Sequence, residues 1–240
     1  MTKLNVEITK RDMKLFKYLF ANKVATNEQI RVDVFEGSSK QVVHRRLDKL
    51  ISAKYLDAKY LRTKGNCLIY FLTNKAMTNY IGVKKDLIKA HKKSYCPYHD
   101  LALVDIKRRL LESEKVTRYF SENILSSGIC DNDEKIKSIR ELSPDAVLKV
   151  NIQGEEYLFT LEYERSQKAF KRYDTLIKNY YQNHHVQAVL FICENKQIQN
   201  QVMQAEKKIA TTDDFKFFYT TLGEIKSLSF INQNQEVLQM

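Results

Sequence analysis

The sequence predicts a two-domain chain of mixed α+β and α/β class, and three observations carry that prediction. The first is charge. Of 40 Lys+Arg and 29 Asp+Glu, residues 1–95 hold 21 and 8, a net of +13, and residues 96–240 hold 19 and 21, a net of −2. The second is hydrophobic period, helical at first, then alternating through one hairpin, then mixed to the end. The third is punctuation, because the six Gly and two Pro of the 240 residues fall between periodic segments. We place an N-terminal domain at 1–81, a basic connector at 82–96 and a second domain at 97–240.

The N-terminal elements follow in order. Residues 9–22 predict a helix capped by Thr9, with Met13, Phe16, Leu19 and Phe20 as its apolar stripe. A short helix follows at Asn27–Phe35, capped by Thr26 or Asn27, with Ile30 and Val34 facing inward. After the turn Glu36-Gly37-Ser38, a third helix runs from about Ser38 to Ala53 over Val43, Leu47, Leu50 and Ile51. Lys54–Arg62 and Cys67–Thr73 then read as a hairpin around Thr63-Lys64-Gly65-Asn66, and Thr73–Tyr80 as a short closing helix. Three helices followed by a hairpin with a basic tip is the order of a winged helix-turn-helix. The expected partner is double-stranded DNA. Opposite the buried stripe of helix three lie Ser38, Gln41, Arg45 and Lys49, flanked by Lys40, His44 and Arg46. Gln and Arg can read adenine and guanine edges, while Ser and Lys reach phosphates. Arg62 and Lys64 at the hairpin tip are placed for backbone or minor-groove contact.

In the second domain, Pro97 opens a helix to about Glu114. Strands are expected near Val116–Phe120, Ala146–Asn151, Glu156–Tyr163, Gln187–Ile192 and Lys216–Tyr219, and helices at Gln167–Asn183 and Lys196–Ala210. That predicts a sheet with helices on its faces. The run Val186–Ile192 is polar only at Gln187, which suits a strand buried on both sides. Two residues apart on one strand, Glu162 and Glu164 point to one face, and Leu161 and Tyr163 to the other. Asp145, leading into the neighbouring strand, and Glu162 could converge on Mg²⁺ or Mn²⁺, ions that activate water in phosphodiester cleavage. Structural acids on a half-exposed strand are the other reading.

The segments SPDAVLKV and YLFTLEYERSQKAFKRYDTLIKNYY, with HDLALVDIKRRLL upstream, resemble the replication-relaxation family over about Ile8 to Tyr219. Members combine an N-terminal winged helix with a PD-(D/E)xK nuclease-like domain and belong to bacterial plasmids and mobile elements. The resemblance implies roles in replication, mobilisation or transcriptional control, and replication or relaxase proteins as partners. Pro144-Asp145 matches the "PD" element, and Glu162-Tyr163-Glu164 matches "(D/E)xK" with Glu164 where the lysine belongs. Lys168, with Lys171 and Arg172, could supply the missing cation from the next helix, and Asp105 is a further candidate metal acid. The alternatives stay open at this point: a regulator with a degenerate second domain, a Mg²⁺- or Mn²⁺-dependent endonuclease using Asp145, Glu162, Glu164 and Lys168, or a protein-interaction module.

Other classes are disfavoured. No Gly-rich phosphate loop is present, which argues against an ATPase. No stretch approaches the roughly 20 apolar residues of a membrane span. The N-terminus MTKLNVEITKRDMK lacks an apolar signal core, so a cytoplasmic protein without a membrane partner is expected. Cys67, Cys96, Cys130 and Cys193 are too far apart for a local zinc motif. His99 shares an apolar stripe with Leu103, Ile106 and Leu110, a core position, and His184-His185 suits a helix end. A homodimer reading two half-sites is compatible with the pattern, although no heptad seam supports one.

Overall fold

A computed structural model describes residues 6–62, 67–82, 94–128, 133–210 and 215–240. The hairpin turn 63–66 with Lys64, most of the connector and Cys130 lie outside the described residues. The chain forms two compact units, Met1–Asp105 and Ile106–Met240.

The first unit begins with α1 (Lys10–Asn22). Thr9 caps it by a reciprocal box with Asp12, which satisfies two otherwise orphaned backbone donors. Leu15, Phe16, Leu19 and Phe20 are buried, so the helix presents one broad apolar face. Strand β1 (Ala25–Thr26) leads into α2 (Asn27–Asp33), where Thr26 and Gln29 form a second capping box. Helix α3 (Lys40–Ser52) is capped by Ser39 and buries Val43, Leu47 and Leu50. Ile51 of the expected stripe is only half-buried. Strands β2 (Leu56–Leu61) and β3 (Cys67–Leu72) pair antiparallel, and β1 adds to the other side of β3 in the order β1-β3-β2. The short closing helix is one α-turn, α4 (Asn74–Ala76), continued by a π-helical turn at Met77–Ile81. Gly82, at φ +74°, ends it in the left-handed region that glycine adopts freely. Helix α5 (Pro97–Leu110) contributes its first turns to this unit. There Gln29 donates to the Leu101 carbonyl and to Asp105, both at 3.0 Å.

The second unit is built on a seven-stranded mixed sheet. Its strands are β4 (Val116–Ser121), β5 (Ala146–Ile152), β6 (Glu155–Glu164), β7 (Ala188–Cys193), β8 (Phe217–Thr221), β9 (Ser229–Ile231) and β10 (Val237–Gln239), side by side in chain order. Neighbours are antiparallel except β6-β7 and β7-β8, which are parallel. Those two parallel pairs need crossovers, and helices α8 (Phe170–Gln182) and α9 (Lys196–Ile209) supply them. Every residue of β7 is buried, as its nearly unbroken apolar run predicts for a strand covered on both faces.

On α8, Tyr173, Ile177 and Tyr180 recur at helical spacing. They pack with Ile198, Val202 and Ala205 of α9 over Val147, Val189, Phe191 and Phe217 of the sheet. Each such large side chain contributes roughly 1.5–3 kcal/mol when fully buried. Two further helices, α6 (Glu122–Ser126) and α7 (Glu134–Arg140), occupy the link between β4 and β5. Helix α8 starts three residues later than the sequence pattern suggests, so Lys168 precedes it rather than lying on its polar face. No helix among the described residues is long and apolar enough to cross a membrane.

Candidate nucleic-acid interface and an acidic cluster

The outer face of α3 is basic and open. Val43, Leu47 and Leu50 turn inward, which leaves Lys40, Gln41, His44, Arg45 and Lys49 exposed on the remaining surface. His44 lies 3.5 Å from Asp48 one turn later. Ser38 stands just before the helix, where its hydroxyl accepts from the Arg11 guanidinium at 3.4 Å. Lys40, Gln41 and His44 form one wall of an open groove of about 590 Å³, with Tyr60, Leu68 and Tyr70 of the hairpin on its other side. Arg62, at the described end of the hairpin, is exposed, and its carbonyl accepts from the Tyr98 hydroxyl at 2.9 Å.

Arg46 is placed differently from its neighbours on α3. Its Nε donates to Asp12 Oδ1 at 2.9 Å, Nη2 binds Asp12 Oδ2, and Nη2 also donates to the Glu7 carbonyl at 2.8 Å. The Asp12 side chain is 1% exposed and Arg46 22%, so a two-pronged ion pair joins α1 to α3 under partial cover. Burial alone would raise the Asp12 carboxyl. The Arg46 guanidinium and the Thr9 hydroxyl and amide outweigh it and hold the group below its usual range. The same contact holds Arg46 above its ordinary value. The guanidinium is thus spent on orienting α3. The pattern Thr9-x-x-Asp12 is a capping-box sequence and was the available pointer to Asp12, but nothing local pointed to Arg46 as its partner.

The strand acids of the second unit gather at the end of the β5-β6 pair. Pro144 follows Ser143, a residue at φ +56°, and Asp145 then precedes β5. The pairing of Ala146 with Leu161 brings Asp145 alongside Glu162. Asp145 Oδ2 accepts from the Tyr163 amide at 2.8 Å, and Glu162 accepts from the Tyr180 hydroxyl on α8. Burial first, then the Glu162 charge and its hydrogen bond, raise Tyr180 well above the ordinary tyrosine value, and Asp145 adds to the shift. Burial and the Asp145 charge also raise Tyr119 on β4. Two residues further along β6, Glu164 lies 3.4 Å from the Lys168 ammonium and accepts from the Ser166 amide at 3.2 Å. Lys168 donates as well to the Ser166 hydroxyl at 2.9 Å.

Asp145, Glu162, Glu164 and Lys168 therefore share one neighbourhood. Asp105, on α5 in the first unit, accepts from the Gln29 amide at 3.0 Å. Each acid has a partner within the protein: Glu162 accepts from the buried Tyr180 hydroxyl, Asp145 from the Tyr163 amide, and Glu164 pairs with the Lys168 ammonium. Among the described residues no group of three or more His, Cys, Asp or Glu side chains is arranged to hold a metal. Along α8 beside Tyr180, Lys171, Arg172 and Asn179 line an open groove of about 560 Å³. No protein-family profile matches the chain, and no curated protein or solved structure is significantly similar to it.

Proposed function

We propose that the chain is a double-stranded DNA-binding protein whose first unit acts as a winged helix, with α3 as the recognition helix and β2–β3 as the wing. The observation that carries this reading is the outer face of α3. Lys40, Gln41, His44, Arg45 and Lys49 stand exposed beside a groove shared with the hairpin, on a helix that Arg46 and Asp12 lock against α1. Fixed orientation matters because a base contact works only when its side chain reaches the groove in register. The net of +13 over residues 1–95 supplies the sequence-independent attraction to phosphates.

In this reading the second unit is a nuclease-like domain without catalytic use, its strand acids tied up by Tyr180, the Tyr163 amide and Lys168. The setting suggested by the family resemblance is replication, mobilisation or transcriptional control on a plasmid or other mobile element, with replication or relaxase proteins as further partners.

The test is fluorescence anisotropy with selected duplexes across a salt series. Wild type should bind a preferred duplex with affinity that falls steeply as salt rises. Arg45→Ala should weaken binding and relax preference at one base pair, a change of roughly 1–3 kcal/mol. Lys49→Ala should weaken all duplexes alike. Unchanged binding in both variants would remove α3 as the reading element. Incubation with supercoiled DNA and Mg²⁺, Mn²⁺ or EDTA tests the second unit. Metal-dependent nicking that disappears in Glu162→Ala would make the protein an endonuclease and overturn the non-catalytic reading.

A further inference from the structure

The hairpin β2–β3 has a second face. The cross-strand pairs Asp57–Phe71 and Lys59–Ile69 place these four residues together on it, away from Leu68 and Tyr70 at the groove beside α3. That second face borders a cavity of about 880 Å³, lined among the described residues by apolar Ile69, Phe71, Leu72 and Met77 and by the exposed Tyr95. Cavities of this size and lining are typical of small-molecule sites.

Its polar groups are one-sided. Among the described residues, Lys23, Lys54, Lys59 and Lys75 line the cavity against one carboxylate, Asp57. Two of the four ammonium groups are engaged elsewhere. Lys23 pairs with the buried Asp100 at 3.4 Å, and Lys75 donates to the Ala53 carbonyl at 2.8 Å while lying 4.0 Å from the Tyr55 ring centre. Lys54 and Lys59 are exposed, and Lys59 lies 6.0 Å from the Phe71 ring centre, next to the apolar lining. An occupant that suits both features has a negative head and an apolar body.

We propose that this cavity binds a small organic anion, an aromatic or aliphatic acid whose head meets Lys54 and Lys59 and whose body lies on Phe71 and Leu72. Tyr60 lines both this cavity and the groove beside α3. An occupant would therefore touch a residue of the DNA-facing groove. That consequence rests on the DNA-binding reading, whereas occupancy itself can be measured without DNA.

The experiment titrates the full chain with 8-anilinonaphthalene-1-sulfonate, followed by fluorescence, with the neutral N-phenyl-1-naphthylamine in parallel. Saturable binding of one equivalent is expected, displaced by decanoate. The double variant Lys54→Ala/Lys59→Ala, with unchanged circular dichroism, should bind the sulfonate at least tenfold more weakly and the neutral probe as before. Phe71→Ser should weaken both probes. Equal sulfonate affinity in the lysine variant would overturn the proposal, as would the absence of saturable binding. Displacement by inorganic phosphate as potent as that by decanoate would also overturn it, because the apolar floor would then play no part.

Discussion

Replacing Arg46 by alanine would leave the Asp12 carboxylate, 1% exposed, with only the Thr9 hydroxyl and amide as donors. Breaking a buried pair by removing one partner costs about 3–5 kcal/mol. The 22% exposure of Arg46 lets water reach the vacated place, so the lower end, about 3 kcal/mol, is expected. In a unit of this size that corresponds to a fall of roughly 10–20 °C in its thermal midpoint. The pH dependence has a definite sign. The folded Asp12 carboxyl is held below its usual value, so its stabilisation is fully present above the unfolded pKa near 4. It is lost as pH falls through the lower folded value. In Arg46→Ala the burial remains and the guanidinium does not, so the two proteins should differ most at neutral pH and converge only as pH falls through the lowered folded value of wild-type Asp12. Calorimetry of the full chain between pH 3 and 7 measures both. A variant within about 0.5 kcal/mol of wild type at pH 7 would refute the clamp and return Arg46 to the candidate DNA contacts.

Two other expectations rest on burial. The buried Glu206 on α9 accepts from the Tyr181 and Tyr219 hydroxyls and the Phe217 amide. Glu206→Ala strands those donors and should cost about 2–4 kcal/mol, while Glu206→Gln, which keeps an acceptor oxygen, should cost less. Wild-type stability of Glu206→Ala in urea unfolding would contradict this. Cys96 is exposed, whereas Cys193 is buried and its thiol is pushed up by burial and by the Glu164 charge. Iodoacetamide followed by peptide mass mapping should therefore label Cys96 well before Cys193. Equal rates would argue against the central place of β7.

Much of the fold was legible because local rules and tertiary demands agree. Thr9 and Thr26 sit where capping chemistry wants them, and β7 reads as a doubly buried strand because its run is apolar at every position and every one of those positions is buried. Legibility failed where an element is too short to show a period. Strands β9 and β10 have three residues each, and α6 and α7 have five and seven, fewer than two full helical turns. The start of α8 was misplaced for a different reason. Its cap position is Ala169, which has no side-chain oxygen to mark a boundary, and the Lys168 amide is instead satisfied by the Tyr173 hydroxyl.

The acidic cluster shows where a motif stops being informative. Strand alternation correctly places Glu162 and Glu164 on one face, and antiparallel pairing brings Asp145 beside them, because both follow from backbone geometry. What meets those carboxylates is decided by the crossover. Helix α8 must lay Tyr173, Ile177 and Tyr180 on that face to cover the sheet, and Tyr180 lies eighteen residues beyond Glu162 in the chain. Once the ring is buried, its hydroxyl needs an acceptor, since a stranded one costs about 1–3 kcal/mol. Glu162 is the acceptor it finds. The packing that completes the core therefore also occupies the acid, and a carboxylate spacing that suggests a cation site is compatible with a side chain spent on satisfying a tyrosine. Tyr180→Phe separates the two uses. It removes the hydroxyl while keeping the ring, so isothermal titration with Mn²⁺ would show whether freeing Glu162 of that contact raises the affinity for the cation. Equal Mn²⁺ affinity in both proteins would mean that Tyr180 does not occupy the acid.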